Sequence, residues 1–341
     1  MKVMVTGASG YIGSHTLIDL IEHGYEVVGI DNHCNSTIKA FDRIREITGV
    51  EVHHYRIDLR NQQDLLRVFG EHPDARAIIH FAALKSVDES TTKPGEYYEN
   101  NISGLVNLLA AQKAYSIPYF IFSSSCTVYG NAEQLPVTES TPWKPAESPY
   151  GLTKQIGEMI LQDYLRYQSG LSCASLRYFN PAGAHPGGRL GEAAIQEVRN
   201  LVPLIMEVGS GKRNLLEVYG RDYPTRDGTN IRDYIHVMDL ARAHTLALEY
   251  LERQGPGVYE VFNLGTGNGV SILEAIESFN RVSQTQLRVK FSERRPGDVV
   301  AIYADYRKAK ELLHWAPQYT LDDIMQSAWA WEKNKQEFLE Q

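Results

Sequence analysis

Tyr150 and Lys154 stand four residues apart in SPYGLTK (148–154). On a helix that spacing puts both side chains on one face. A free phenol has a pKa of about 10 and is a poor base at neutral pH. A neighbouring ammonium favours the phenolate and lowers that value. The pair therefore predicts a tyrosine that can exchange a proton with a substrate hydroxyl. Upstream, the apolar YFIF runs into SSSCTVYG (Ser123–Gly130). Small hydroxyl and thiol side chains make poor strand, so their place at a strand's carboxyl end points to chemistry. Tyr-x-x-x-Lys alone also occurs on exposed helix faces; its company gives it meaning.

That company is Gly7-x-x-Gly10-x-x-Gly13, between the apolar KVMVT and a helical pattern. Glycines there let the backbone turn tightly and approach a pyrophosphate, which then sits on the helix N-terminus. Asp31 ends the second apolar run, 18 residues after Gly13. This is near the spacing of about 20 for a carboxylate on the adenosine ribose; the plain alternative is a solvated loop acid. A carboxylate there repels a 2′-phosphate, which favours NAD over NADP. Asp58, after the third run, either lies near the adenine or caps the helix at 61.

These residues need elements to position them. The periodicities predict strands over 2–6, 26–31, 50–58, 75–82, 119–125, 171–178 and 258–265. Helices are expected over 11–24, 37–49 and 61–70, as one long element near 94–116, and over 149–170. Strands alternating with helices mean βαβ units and an α/β, Rossmann-like, doubly wound parallel sheet. Ligands in such sheets bind beyond the carboxyl ends of the strands, where the serine run falls. After about residue 180, Pro, Gly and Asn become frequent, which predicts a smaller, loop-rich mixed α/β second domain. Within it, Ser271-Ile-Leu-Glu274 fits a capping box.

Bulk properties narrow the function. The chain has 341 residues and a formal net charge of −8, unlike the basic footprint of nucleic-acid binders. An anionic ligand must then be held by local groups. No apolar run reaches the roughly 20 residues of a membrane span, and MKVMVTGASG has no signal-peptide pattern. Cys34, Cys126 and Cys173 form no C-x-x-C pair, and there is no H-E-x-x-H, so neither a disulfide framework nor a metal site is expected. A cytoplasmic protein is the expectation.

The glycine motif, IFSSSCTVYG, SPYGLTK, LRYFNPAGAHP and RDYIHVMDLA together resemble the extended short-chain dehydrogenase/reductase superfamily, and within it the UDP-glucose (UDP-galactose) 4-epimerases. The resemblance covers nearly the whole chain. It implies an NAD that is reduced and re-oxidised within each turnover, a UDP-sugar substrate and a homodimer. It implies Tyr150 as the base, Ser125 as the hydroxyl bridging Tyr150 and the sugar O4, and Lys154 on the nicotinamide ribose.

Further cofactor contacts implied are Gly7, Gly10, Tyr11, Ile12, Gly13, Asp31, Asn32, Asn35, Ser36, Asp58 and Leu59. Phe81, Ala82, Ala83, Lys85, Asn100, Ser123 and Phe179 complete them. For the substrate the resemblance implies Lys85, Asn180, Asn200, Leu201, Glu217, Val218, Tyr219, Arg232, Arg295, Asp298 and Ile302, besides Ser125 and Tyr150. Arg232 and Arg295 would fork onto the diphosphate; without the resemblance they read as surface ion pairs. Asp298 would take the uridine ribose, Tyr219 would stack on uracil, and Glu217 would offer backbone only. Residues 1–180 would bind NAD, joined by a later segment near 234–265, and 181–341 would mainly hold the UDP-sugar.

Where related 4,6-dehydratases read Thr-Asp-Glu, this chain has Ser125, Cys126 and Thr127. The carboxylate pair that elimination needs is missing, so hydride return to C4 is the simplest outcome. Cys126 reads as packing rather than as a nucleophile. Epimerases restricted to plain hexoses often carry tyrosine where this chain has Ile302, which implies room for N-acetylated sugars. The alternatives are a UDP-N-acetylglucosamine 4-epimerase as the main activity, another nucleotide-sugar oxidoreductase or decarboxylase, and a non-catalytic NAD-binding regulator.

Overall fold

The computed structural model describes residues 1–167, 170–193, 198–295 and 298–340. β1 (Lys2–Thr6) leads into α1 (Tyr11–Glu22), β2 (Glu26–Asp31), α2 (Lys39–Thr48), β3 (His53–Arg56), α3 (Gln62–Glu71) and β4 (Ala75–His80). After α4 (Val87–Thr92), α5 (Pro94–Tyr98) and α6 (Gly104–Ala114) come β5 (Tyr119–Ser125), α7 (Pro149–Tyr167) and β6 (Ser172–Tyr178). The second half adds β7 (Asn180–Ala182), α8 (Leu201–Gly209), β8 (Leu216–Tyr219), β9 (Ile231–Arg232), β10 (Tyr234–His236), α9 (Val237–Gln254) and β11 (Tyr259–Leu264). It closes with β12 (Val270–Ser271), α10 (Ile272–Ser283), β13 (Val289–Ser292), α11 (Arg307–Leu312) and α12 (Leu321–Glu340).

Seven strands form one parallel sheet in the order β11-β6-β5-β4-β1-β2-β3. The order reverses direction between β1 and β4, which opens a crevice at the carboxyl ends of the strands. Both faces are covered. α1 and α9 bury Leu17, Ile18, Leu20, Leu240 and Leu248 on one side. α3, α6 and α7 bury Leu65, Leu108, Leu109 and Leu161 on the other. The strands are apolar on both faces, as double burial requires. A third core, with Val202, Ile205, Val218, Phe279 and Ile324, sits under α8, α10 and α12.

Two expected elements differ. The strand expected over 50–58 pairs only at His53–Arg56. The helix expected over 94–116 is broken by a π-helical turn at Glu99–Ser103. The break has a structural use. Within it, buried Asn101 accepts from Leu84 N and donates to Leu84 O and Thr153 Oγ1, tying the loop after β4 to α7. The capping box at Ser271 and Glu274 forms as expected, with both reciprocal bonds.

The late segments return to the sheet through one buried acid. Asp233 accepts from Thr266 N (2.7 Å), Thr266 Oγ1 (2.6 Å), Gly267 N (3.1 Å) and Ala304 N (3.0 Å). It pins the turn after β11 and the segment after Asp298 beneath the crevice. Four donors on one carboxylate satisfy its lone pairs, as a buried charge needs.

Candidate active site

α7 stands against β5, and the serine run meets it residue by residue. Gly157 permits the close approach: a Cβ there would lie 2.5 Å from the Phe122 ring. Lys154 Nζ donates to Ser123 O at 2.6 Å. Ser124 Oγ donates to Glu158 Oε1 at 2.5 Å. Ser125, only 8% exposed, accepts from Thr127 N and acts to lower the pKa of Tyr150. Tyr150, Lys154 and Glu158 follow one another at four-residue steps, so one helix face carries all three.

The electrostatics of the pair depart from the sequence expectation. Burial pushes the Tyr150 phenol up to about 12, against the opposing hydrogen bond from Ser125. Burial also pulls the Lys154 ammonium down to about 8, with Glu158 pushing the other way. The Lys154 ammonium lies 5.8 Å from the Tyr150 ring centroid. At that range, desolvation of each group outweighs their mutual help in the ligand-free protein. Spacing showed that the two meet; only the packing showed how dry the meeting place is. Burial likewise pushes the Cys126 thiol up to about 12, which suits packing rather than nucleophilic attack.

At the crevice, Gly7 has φ +69° and a Cβ on it would lie 2.7 Å from Ala82 N; one on Gly13 would lie 2.2 Å from Gly7 O. No side chain caps α1 at Gly10, so its first amides, around Tyr11 and Ile12, are left for a ligand. Asp31 is anchored by Ser9 N (3.1 Å), His33 N (2.8 Å) and Ser36 Oγ (3.0 Å). Across the loop, Asn32 Nδ2 donates to Asp58 Oδ2 at 3.0 Å, and Arg60 holds the Asp58 carboxyl down to about 2. Asn61, not Asp58, caps α3. Phe81, Ala82 and Ala83 follow β4, with Phe81 N donating to Thr6 O. Leu59 is buried, Asn35 lies in the loop after β2, and Asn100 lies in the π-turn beside Asn101. An open helix N-terminus, a side-chain-free turn and a fixed carboxylate fit a dinucleotide.

The opposite wall comes from the second half. Tyr11 reaches it directly, its hydroxyl donating to Gly183 O at 2.7 Å. Lys85 Nζ is paired with Glu192 at 2.8 Å, a partner with no local sequence signal. Arg232 donates to Val299 O at 2.7 Å and lies 3.4 Å from Asp298. The Arg295 guanidinium sits 3.8 Å over the Tyr219 ring. The Glu217 side chain accepts from Tyr219 Oη at 2.8 Å and from Ser292 Oγ, which occupies it within the protein. Asn180 N donates to Asp233 O, Asn200 precedes α8 at Leu201, and Val218 is buried in β8. Ile302 packs with Val128, Tyr129, Val137, Phe179 and Ala304, beside the serine run. Pro296 and Gly297 lie outside the described residues. Besides Glu192, Asn101 and Glu158 escaped the sequence reading; the four-residue step from Lys154 was the available signal for Glu158.

Comparison with known proteins agrees with this geometry. A family model described as GDP-mannose 4,6 dehydratase matches residues 4–328. The chain is 45% identical over 335 residues to a UDP-glucose 4-epimerase of Bacillus subtilis, covering 98% of this chain and 97% of that one. It superposes with TM-score 0.94 and 42% identity on the Bifidobacterium longum UDP-glucose 4-epimerase in complex with NAD+ and UDP, over 98% of this chain and 99% of that one. With the Stenotrophomonas maltophila UDP-glucose-4-epimerase, with bound NAD and formylated UDP-arabinopyranose, the TM-score is 0.95 at 40% identity, over 99% of both chains. Fold and site thus define an extended short-chain dehydrogenase/reductase. Within that superfamily the chain belongs to the UDP-glucose 4-epimerase family.

The buried ammonium has a measurable consequence. Between about pH 8 and the 10.5 of a free lysine, the unfolded chain holds more proton than the folded one. The contribution of Lys154 to the stability of the cofactor-stripped protein therefore rises with pH across that window. Lys154→Met lacks this contribution, so the wild-type advantage over the variant should grow from pH 8 to 10.5. Urea midpoints across that range test it, and a pH-independent difference would contradict the burial.

Proposed function

We propose that this chain interconverts UDP-glucose and UDP-galactose by NAD-dependent epimerisation at C4. The observation that carries it is the meeting of Ser125, Tyr150 and Lys154 at the carboxyl end of β5, beside the glycine turn and Asp31. NAD, when bound, supplies hydride acceptance and return. Tyr150 takes the proton from the sugar O4 and later gives it back, with Ser125 holding the oxygen between them. Lys154 holds the nicotinamide ribose and keeps a positive charge beside the phenol. Gly7, Gly10 and Gly13 let the backbone receive the pyrophosphate, and Asp31 orients the adenosine ribose. Arg232 and Arg295 neutralise the substrate diphosphate, as a net acidic protein requires. Elimination is disfavoured although the matching family model is named for a dehydratase, because Cys126 and Thr127 supply no carboxylates. Residues 1–180, joined by the later segment near 234–265, serve the cofactor and the rest of 181–341 mainly the substrate.

Two copies pairing through α6 and α7 is the assembly we assign. Val106 on α6 and Met159 on α7 are exposed apolar side chains on these helices. The three cysteines are free, which suits the reducing cytoplasm. Among the described residues no helix is long and apolar enough to cross a membrane. A monomer mass in light scattering at micromolar concentration would rule out the stable dimer.

Tyr150→Phe should lower the epimerisation rate by about 10²- to 10⁴-fold, while bound NAD, assayed after denaturation, stays at wild-type content. A near-normal kcat would remove Tyr150 from the mechanism. Ile302 gives the second expectation, that N-acetylated UDP-hexoses are also accepted, since isoleucine leaves more room than tyrosine beside the serine run. Comparing kcat/KM for the four UDP-sugars decides this. Failure on both N-acetylated substrates would make Ile302 a packing residue only.

A further inference from the structure

Behind the serine run lies a buried polar network that the mechanism above does not use. Glu158 is fully buried and Arg177 is 3% exposed. Arg177 Nε and Nη2 donate to the two Glu158 carboxylate oxygens at 2.9 and 2.7 Å. Arg177 Nη1 donates to Tyr129 Oη at 2.8 Å, and Tyr129 Oη donates to Asn263 Oδ1 at 2.6 Å. With Ser124 Oγ on Oε1, the carboxylate is held by three hydrogen bonds from β5 and β6. It cannot swing away. It also stands one helical turn beyond Lys154, whose Nζ hydrogen-bonds the carbonyl of the serine next to Ser124.

We propose that Glu158 is a positioning residue for the Tyr150–Lys154 pair, its immobile negative charge keeping the Lys154 ammonium protonated in a dry site. The inference rests on the roles given to Tyr150 and Lys154 above. The groups facing Lys154 leave this task to Glu158. From α7 itself comes Tyr150, whose burial favours the neutral phenol in the ligand-free protein. From β5 comes the Phe122 ring, 5.1 Å from the ammonium. His80 on β4 is kept neutral by burial, its pKa pulled down to about 3. On β6, Tyr178 is a neutral phenol and Arg177 is cationic, so neither favours a second cation. Cys173 and Tyr259, on the far side of Glu158, are neutral thiol and phenol. Glu158 is the group that pushes Lys154 up against its desolvation.

Arg177 has a matching purpose. An isolated carboxylate at this depth would take up a proton rather than stay charged. The two-pronged pairing with Arg177 gives Glu158 the opposite charge that a carboxylate at this depth needs, and Ser124 gives it a third hydrogen bond. The network thus carries a fixed charge to the back of the catalytic helix without exposing it to water.

The test is the pH profile of epimerisation by the NAD-loaded enzyme from pH 6 to 9, in four variants. Glu158→Gln removes the charge, and Glu158→Gln with Arg177→Gln removes it without leaving a buried cation unpaired. Glu158→Asp keeps the charge, and Tyr150→Phe checks the underlying reading. Loss of an opposite charge one helical turn away lowers a lysine pKa. The alkaline limb should therefore move to lower pH by about one unit in Glu158→Gln, a loss of about tenfold at high pH that largely recovers near pH 6, and in the same direction by less in the paired variant, which also removes the Arg177 cation. Glu158→Asp should keep the wild-type limb. Profiles that differ from wild type only by a uniform scale factor would overturn the proposal, as would loss of folding in the paired glutamine variant and Glu158→Asp alike, since a purely structural role then suffices. If Tyr150→Phe retains activity, the fault lies with the catalytic assignment and not with Glu158.

Discussion

The hydrogen bond from the Lys154 ammonium to the carbonyl of Ser123 is the constraint on which the site depends. It joins the catalytic helix α7 to the central strand β5 at the strand's carboxyl end. A buried ammonium needs an acceptor, and a strand carbonyl just past the end of the β4 pairing is well suited to be one. Once that bond is made, the register of α7 against β5 follows. Tyr150 comes opposite Ser125, and Glu158 comes opposite Ser124. Gly157 removes the side chain that would hold the helix off, so the bond can be as short as 2.6 Å.

The rest of the molecule supports this contact from two directions. The π-turn places Asn101 where it can bond both Leu84 and Thr153, so the loop after β4 and the helix α7 move as one. On the far side, Asp233 gathers the turn after β11 and the chain near Ala304 with four hydrogen bonds. This brings Arg232 and Asp298 to the mouth of the crevice. The charges lining that mouth already have partners: Lys85 with Glu192, Arg232 with Asp298, and Arg295 over Tyr219. An incoming diphosphate would exchange these partners rather than meet bare cations. In a chain of net charge −8, local cationic groups must draw the anion in.

Much of this was legible in the sequence. The alternation of strand and helix gave the doubly wound sheet, and the glycine spacing gave the turn at α1. The four-residue step gave the common face of Tyr150 and Lys154, and the capping box gave the start of α10 at Ile272. These readings succeed because each rests on neighbours within one or two turns of chain. The misses share the opposite property. A helix over 94–116 was the sound local reading, but the π-turn is stabilised by contacts to Leu84 and Thr153. The expected lowering of the Tyr150 pKa rested on a charge four residues away and ignored the burial of both groups. The Lys85 partner came from the distant Glu192.

The sequence by itself determined which chemistry was possible: residue types, their short spacings and the periodicity that places them at strand ends. Periodicity and spacing are local, so they survive without knowledge of the fold. The tertiary structure alone decided how those groups behave. Desolvation, the choice of hydrogen-bond acceptor and the sign of a pKa shift depend on atoms brought together from distant parts of the chain. Glu158 shows the difference. One turn beyond Lys154 it reads as an ordinary helical acid, and only β5 and β6, closing over it with Ser124 and Arg177, make it a buried, fixed charge.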